Sequence, residues 1–375
     1  MKNIYKNRCE KLIEWMKEEQ IAAVFFHDSE ANRTPAVRYF SGMANDAIFM
    51  LSVDGATALC AWDDILAKKN GYADTILSYA TFERNPIVAV KGMLNLLQVP
   101  VDTKVEIPSF VSYPLFLHYV HELSAYNVIC RENGALEYVD KLRSIKDEYE
   151  LDCIKKAADI TNTIIATIEE GIANNSIATE SDVALLIEKE CRIAGCEGTG
   201  FETLAAGPSR SFGIHCFPSY TAADWPAQGL SILDFGVVYE GYTSDVTLTV
   251  AKGPLTDAQK MQLDLVEKAY NEALKLYKVG ESIYKASEKV EKIFAKHKRN
   301  MPHSLGHGYG LQVHEWPSIR DTINKKQLFE AGMVVTLEPG LYDEAIGGCR
   351  LENDILITET ESIVLTKSKI IRIEG

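Results

Sequence analysis

The chain has 375 residues, a formal net charge of −14 and no long basic cluster, which suits two or three domains and excludes a nucleic-acid surface. A hydrophobic share of 46 % against 25 % charged residues is that of an ordinary water-soluble globular protein. The acidic balance by itself defines no partner.

In chain order, Ile4, Cys9, Leu12, Ile13 and Met16 fall near helical spacing, which predicts an amphipathic helix over 4–20. "IAAVFF" (21–26) follows as a buried strand, and "AIFMLSVDGATALCAW" (47–62) reads as a hairpin turning at Asp54-Gly55. Short strands and helices alternate to about residue 130, so residues 1–135 are expected to form an α/β module. The pattern breaks over 131–146. Asp147 and Glu150 then have capping-box spacing, ahead of a helical stripe of Leu151, Ile154, Ala158, Ile164, Ile165 and Ile168. A second helix is expected over 180–194, stopping at Gly195. A third runs from the Thr256/Gln259 capping box to before Gly280, and a fourth covers about 282–297. The N-terminus is charged throughout, with no apolar signal core. No run approaches the roughly 18 apolar residues of a membrane helix. The eight cysteines lack a disulfide rhythm, so free thiols and a cytoplasmic location are expected.

The second part has an internal rhythm. Two helices precede "SILDFGVVYEGYTSDVTLTV" (231–250), which reads as two strands and a tight turn; two more precede "MVVTLEPGLY" (333–342) and "CRLENDILIT" (349–358). Each strand pair carries two acids, Asp234 with Asp245 and Glu338 with Glu352, expected to lie opposite each other across their ladders. A single acid of this kind is more often a solvated surface group. Four among apolar residues would repel one another unless a cation sits between them. Between the hairpins lies "MPHSLGHGYGLQVHEWP" (301–317), which offers His303, His307 and His314. Four carboxylates and an imidazole suit a pair of hard or borderline divalent ions: Mn²⁺, and also Co²⁺, Fe²⁺ or Zn²⁺.

"LDFGVVYEGYTSDVTLT", "HSLGHGYGLQVHE", "TLEPGLY" and "RLENDILIT" resemble the pita-bread metallopeptidases, peptidase family M24: methionine aminopeptidases, aminopeptidase P and prolidase. The similarity spans about residues 140–375, and the preceding module resembles the N-terminal domain of the aminopeptidase P, prolidase and creatinase branch. The resemblance implies an α+β protein. A C-terminal pita-bread domain (140–375), with a duplicated curved antiparallel sheet and helices, would follow a smaller α/β domain (1–135). It implies two divalent ions per chain, manganese first. Asp234 would hold one ion, His307 and Glu338 the other, and Asp245 and Glu352 both. A hydroxide between them would attack an Xaa-Pro peptide bond, with Glu338 as general base and His215 and His314 donating hydrogen bonds to the reacting groups.

By the same resemblance Arg350 supports the site or a substrate carboxylate, and the protein is a homodimer; His303 is expected to be structural or to support the site from behind. The sequence also departs from the family pattern. Ile214 precedes His215 where a proline is common, and Leu248 stands where arginine is common. Ser318 follows Pro317 where prolidases often carry the arginine that receives a dipeptide's carboxylate. Arg320, two residues on, is the substitute candidate, and the departure favours peptides longer than dipeptides. The alternatives are a hydrolase of a non-peptide C–N bond on the same scaffold, creatinase-like, and a non-catalytic binding module. No G-x-S-x-G elbow supports a serine hydrolase.

Overall fold

The computed structural model describes residues 2–320 and 325–374. The chain divides into two compact units, Met1–Leu142 and Arg143–Gly375. In the first, α1 (Lys2–Glu19), β1 (Ile21–Asp28), α2 (Pro35–Ser41), β2 (Ala47–Ser52), β3 (Thr57–Ala61), α3 (Asp64–Asn70), β4 (Thr75–Ser78), α4 (Pro86–Leu96), β5 (Lys104–Glu106), α5 (Tyr113–Glu122) and β6 (Asn127–Ile129) follow in order. The strands make one sheet, β4-β3-β2-β1-β5-β6. β2 runs antiparallel to both neighbours and the other pairs are parallel. Every residue of β2 and β3 is buried, which explains why these strands read as continuous apolar runs rather than alternating ones. Val90, Met93 and Leu94 of α4 pack with Phe25, Met50 and Cys60 of the sheet.

The expected break at 131–146 contains a helix, α6 (Ala135–Ser144), and the division between units falls in its last turn. In the second unit α7 (Glu148–Ala173) and α8 (Glu180–Ile193) precede β7 (Gly198–Thr199), β8 (Leu204–Ala206), β9 (Gly229–Phe235), β10 (Val237–Tyr239), β11 (Tyr242–Thr243) and β12 (Val246–Lys252). Then come α9 (Asp257–Leu274), α10 (Ile283–Ala295), β13 (Gly306–Gly308), β14 (Glu315–Ile319), β15 (Val334–Leu337), β16 (Gly340–Asp343), β17 (Gly347–Arg350), β18 (Asn353–Ile357), β19 (Ser362–Val364) and β20 (Ile370–Ile373). Asp147 and Glu150 form a capping box, as do Thr256 and Gln259.

Helices α7 and α8 bury Ile164, Ile168, Val183 and Ile187 against Leu233, Phe235, Val246 and Leu248. Helices α9 and α10 bury Val266, Tyr270, Val290 and Phe294 in a second cluster with Val335, Leu337, Ile355 and Ile357. Each half is therefore a helix pair backing a sheet, β20-β12-β9-β8 in one case and β14-β13-β15-β18-β19 in the other.

The stretch 231–250 is more than one hairpin. β9 and β12 pair in the first sheet, whereas its tip, β10 and β11, pairs with β7 in a separate sheet. The change occurs at Gly236, where an added Cβ would lie 1.9 Å from the Ser244 carbonyl oxygen; only glycine permits that approach. In the second half the strands break at the acids themselves. β15 pairs with β18, and β16 with β17 as a separate ribbon, leaving Glu338 and Glu352 at the junctions.

Candidate active site

Alternation along the strands aims the chemistry. In β12, Val246, Leu248 and Val250 pack under α7 and α8, so Asp245, Thr247 and Thr249 belong to the opposite face. Register places Thr247, not Asp245, opposite Asp234. The two acids, expected roughly opposite each other, are thus diagonal neighbours, because the ladder stops at Val246–Phe235. An isolated bridge joins Thr247 to Glu352, and the Thr247 hydroxyl donates to Glu352 Oε2 at 2.7 Å. This bridge brings the acids of the two halves together.

One cavity of about 570 Å³ is lined by Asp234, Asp245, His307, Glu338 and Glu352, and also by His215, His314, Arg320 and Arg350. The nine candidate site residues thus line one cavity. Ligand atoms of Asp245, His307 and Glu352 lie within 4.8 Å of one another. His307 Nε2 is 3.6 Å from both Asp245 Oδ2 and Glu338 Oε1. Glu338 Oε2 is 3.6 Å from His303 Nδ1. The rings of His307 and His314 meet edge-on at 4.4 Å between centroids.

The electrostatics favour a cation. Burial pushes the carboxyls of Asp234, Asp245 and Glu338 upward. Burial, then the charge of Asp234, raises Glu352 to about 7. Burial, then His314, lowers His307 to about 4, so its imidazole is neutral at pH 7. Its Nδ1 lies 3.1 Å from the Gly308 carbonyl; with the proton held there, Nε2 presents a lone pair to the acids. Asp234 Oδ1 is buried without a hydrogen-bond partner among the described residues. Crowded carboxylates, an orphaned buried oxygen and a correctly oriented neutral imidazole are the donor set that a divalent ion satisfies.

Arg350 donates four hydrogen bonds to protein acceptors. Nη2 donates to Asp234 Oδ2 at 2.5 Å, Nη1 to Tyr342 Oη at 2.7 Å and to the Ile214 carbonyl at 3.3 Å, and Nε to Thr247 Oγ1 at 2.8 Å. Arg320 is exposed and makes no such bond among the described residues. Two contributors were not singled out from the sequence. Tyr342 links His303 Nε2, at 2.9 Å, to Arg350; its place in "TLEPGLYD" carries no polar signature. Glu315, beside His314, pairs with Arg143 and, at 3.0 Å, with Lys146; only "HE" in the histidine loop hinted at it.

A recessed cluster of hard oxygen donors with a neutral imidazole, bordered by further histidines, defines a metal-dependent enzyme. Residues 152–359 match Metallopeptidase family M24. The chain is 29 % identical over 374 residues to an Xaa-Pro dipeptidase of Pyrococcus furiosus, covering 97 % of this chain and 99 % of that one. Among solved structures it is similar to an X-Pro aminopeptidase from Thermotoga maritima (TM-score 0.83, 27 % identity, 97 % and 99 % covered). It is also similar to the prolidase from Pyrococcus horikoshii (TM-score 0.82, 26 % identity, 97 % and 99 % covered). The chain belongs to metallopeptidase family M24 and has that family's pita-bread fold.

Proposed function

We propose that this protein is a dinuclear metal-dependent peptidase that hydrolyses Xaa-Pro bonds. The observation that carries this reading is the convergence of Asp234, Asp245, His307, Glu338 and Glu352 in one cavity with His215 and His314, supported by the similarity to Xaa-Pro peptidases. Those five residues would hold two divalent ions, manganese first, with cobalt, iron or zinc as alternatives. When bound, such ions polarise the scissile carbonyl and make water acidic enough to react near neutral pH.

The chain's own residues supply the rest. Glu338 accepts the proton of the attacking water. His314, held neutral by burial, and His215 donate N–H bonds to the oxygen that gains charge and to the leaving nitrogen. Arg350 commits four of its five N–H donors to protein acceptors, Asp234 among them, so its first role is to fix Asp234. Arg320 also lines the cavity and has no hydrogen-bond or ion-pair partner among the described residues, and a peptide carboxylate is its natural ligand. Dipeptides are accordingly favoured over the longer peptides that Ser318 suggested. In the same reading residues 1–135 are the α/β domain of the prolidase branch, and 140–375 the catalytic domain with its duplicated sheet. The enzyme is a cytoplasmic homodimer acting on peptides and on neither nucleic acid nor membrane. No described helix is long and apolar enough to cross a bilayer.

The test is kcat/KM with Mn²⁺, Co²⁺ and Zn²⁺ in turn for an Xaa-Pro dipeptide, its C-terminal amide, an Xaa-Pro-Xaa tripeptide and Xaa-Ala controls. We expect the dipeptide to be preferred over its amide by at least about tenfold, or ~1.4 kcal/mol, and Arg320→Ala to abolish that preference. Cleavage of Xaa-Ala at the Xaa-Pro rate, or no cleavage of any peptide, would reject the function.

A further inference from the structure

The segment 207–228, between β8 and β9, has neither helix nor strand, yet it delivers Ile214 and His215 to the cavity wall. Something outside the cavity must hold it. Glu180, the first residue of α8, is fully buried, and its carboxylate receives five hydrogen bonds from this one segment. Oε1 accepts from the Gly207 amide at 2.7 Å and from Arg210 Nε at 3.2 Å. Oε2 accepts from Arg210 Nη2 at 3.0 Å, the Thr221 amide at 2.7 Å and the Thr221 hydroxyl at 2.6 Å. Gly207 and Thr221 bracket His215. The same carboxylate therefore ties both feet of the loop to one helix end. Arg210 extends the tie, its Nη1 donating to the Pro218 carbonyl at 2.7 Å and its Nη2 to that of Ala205 at 3.2 Å. Cys216 closes the interior, its thiol donating to the Arg210 carbonyl at 2.8 Å.

Burial alone would raise the Glu180 carboxyl, but the bonds from Gly207, Thr221 and Arg210 outweigh it and hold the group below its ordinary range. Every contact is donated to the acid. An amide in its place would turn its own N–H₂ against one of these donors, leaving a buried N–H unsatisfied.

We propose that Glu180 is a positioning residue for His215: it fixes the loop that presents the imidazole to the substrate, without touching substrate or metal ligand itself. This rests on the reading of His215 as a substrate-contacting group.

A double-variant cycle tests it. The variants are Glu180→Gln, His215→Ala and both together, assayed on an Xaa-Pro dipeptide with Mn²⁺, with metal content and melting temperature recorded for each. A positioning role predicts that Glu180→Gln lowers kcat more than it raises KM. The double variant should then fall within about threefold of His215→Ala, because residues acting as one unit are not additive. Losses that multiply, with His215→Ala itself impaired, would overturn the positioning role and leave the functional reading intact. A near-normal His215→Ala would remove that histidine from the reaction and with it the role given to Glu180. Thr221→Val removes one of the five bonds and keeps the charge pair, and it serves in the same cycle where Glu180→Gln does not fold. A second readout needs no metal and no turnover. Iodoacetamide should alkylate Cys216 faster in Glu180→Gln than in the parent chain, with exposed Cys130 as the internal reference; an unchanged Cys216 rate overturns the tie.

Discussion

Asp245 is where the repulsion of the site converges. Its carboxyl is pushed up by burial first and then by the charges of Glu352, Asp234, Asp354 and Glu338. Removing one charge from such a cluster relieves the others, so a residue proposed to bind metal would be a burden on the metal-free fold. Asp245→Asn is therefore expected to lose both ions and all turnover, while its metal-free form melts at or above the temperature of the metal-free parent at pH 8. Elemental analysis and calorimetry check the two halves of that statement. Retention of both ions would remove Asp245 from the shared position. Glu352→Gln should behave similarly in metal content, and its amide oxygen can still accept from the Thr247 hydroxyl.

At the scale of elements, β14 and the segment before it show what a sequence does and does not disclose. His314 was legible because it sits in a short run with His307. The pairing of Glu315 with Arg143 and Lys146 was not, since ion pairs across 172 and 169 positions leave no periodicity in the sequence. The same distinction holds elsewhere. Asp147/Glu150 and Thr256/Gln259 were readable as helix starts because capping is local. The division of 231–250 between two sheets was hidden, because it depends on which distant strand, β7, pairs with the tip. The loop 207–228 has no pattern to read, and its anchor Glu180 looks like any acid in a first helical turn.

The Glu315 cluster also has a pH signature. Burial pushes Glu315 up, but Arg143 and then Lys146 outweigh it and hold the carboxyl at about 2, against 4.5 for the group in an unfolded chain. A lowered acid contributes stability above its unfolded value and loses it as pH falls towards the folded one. The parent should therefore melt well above Glu315→Gln at pH 6, with the gap closing between about pH 4.5 and 2. A gap independent of pH would mean the pair acts through shape rather than charge.

For the whole molecule the balance runs the other way at higher pH. Glu352 sits at about 7 in the fold against an ordinary 4.5, and a raised acid loses its contribution as pH rises through the folded value. His303 and His307, each lowered to about 4 from 6.5, oppose this only below 6.5. Metal-free protein is thus expected to lose stability as pH rises from 6.5 through about 7. Saturating Mn²⁺ should reverse the trend, since the ions bind the ionised carboxylates. Melting curves with chelator and with Mn²⁺ across that window give the answer, and a falling curve in both would count against ions at this cluster.

The Thr247–Glu352 link joins residues 105 positions apart, and each half of the donor set stands on its own helix-backed sheet. Closing so long a loop is slow, because its entropy is lost before its contacts form. A cation meeting the nascent chain finds no complete cradle until both halves have condensed and docked. On the dinuclear proposal the ions would therefore bind late in folding, locking the structure rather than seeding it. Refolding should proceed at the same rate in chelator and in Mn²⁺, and the difference should appear in the unfolding rate, which bound metal slows.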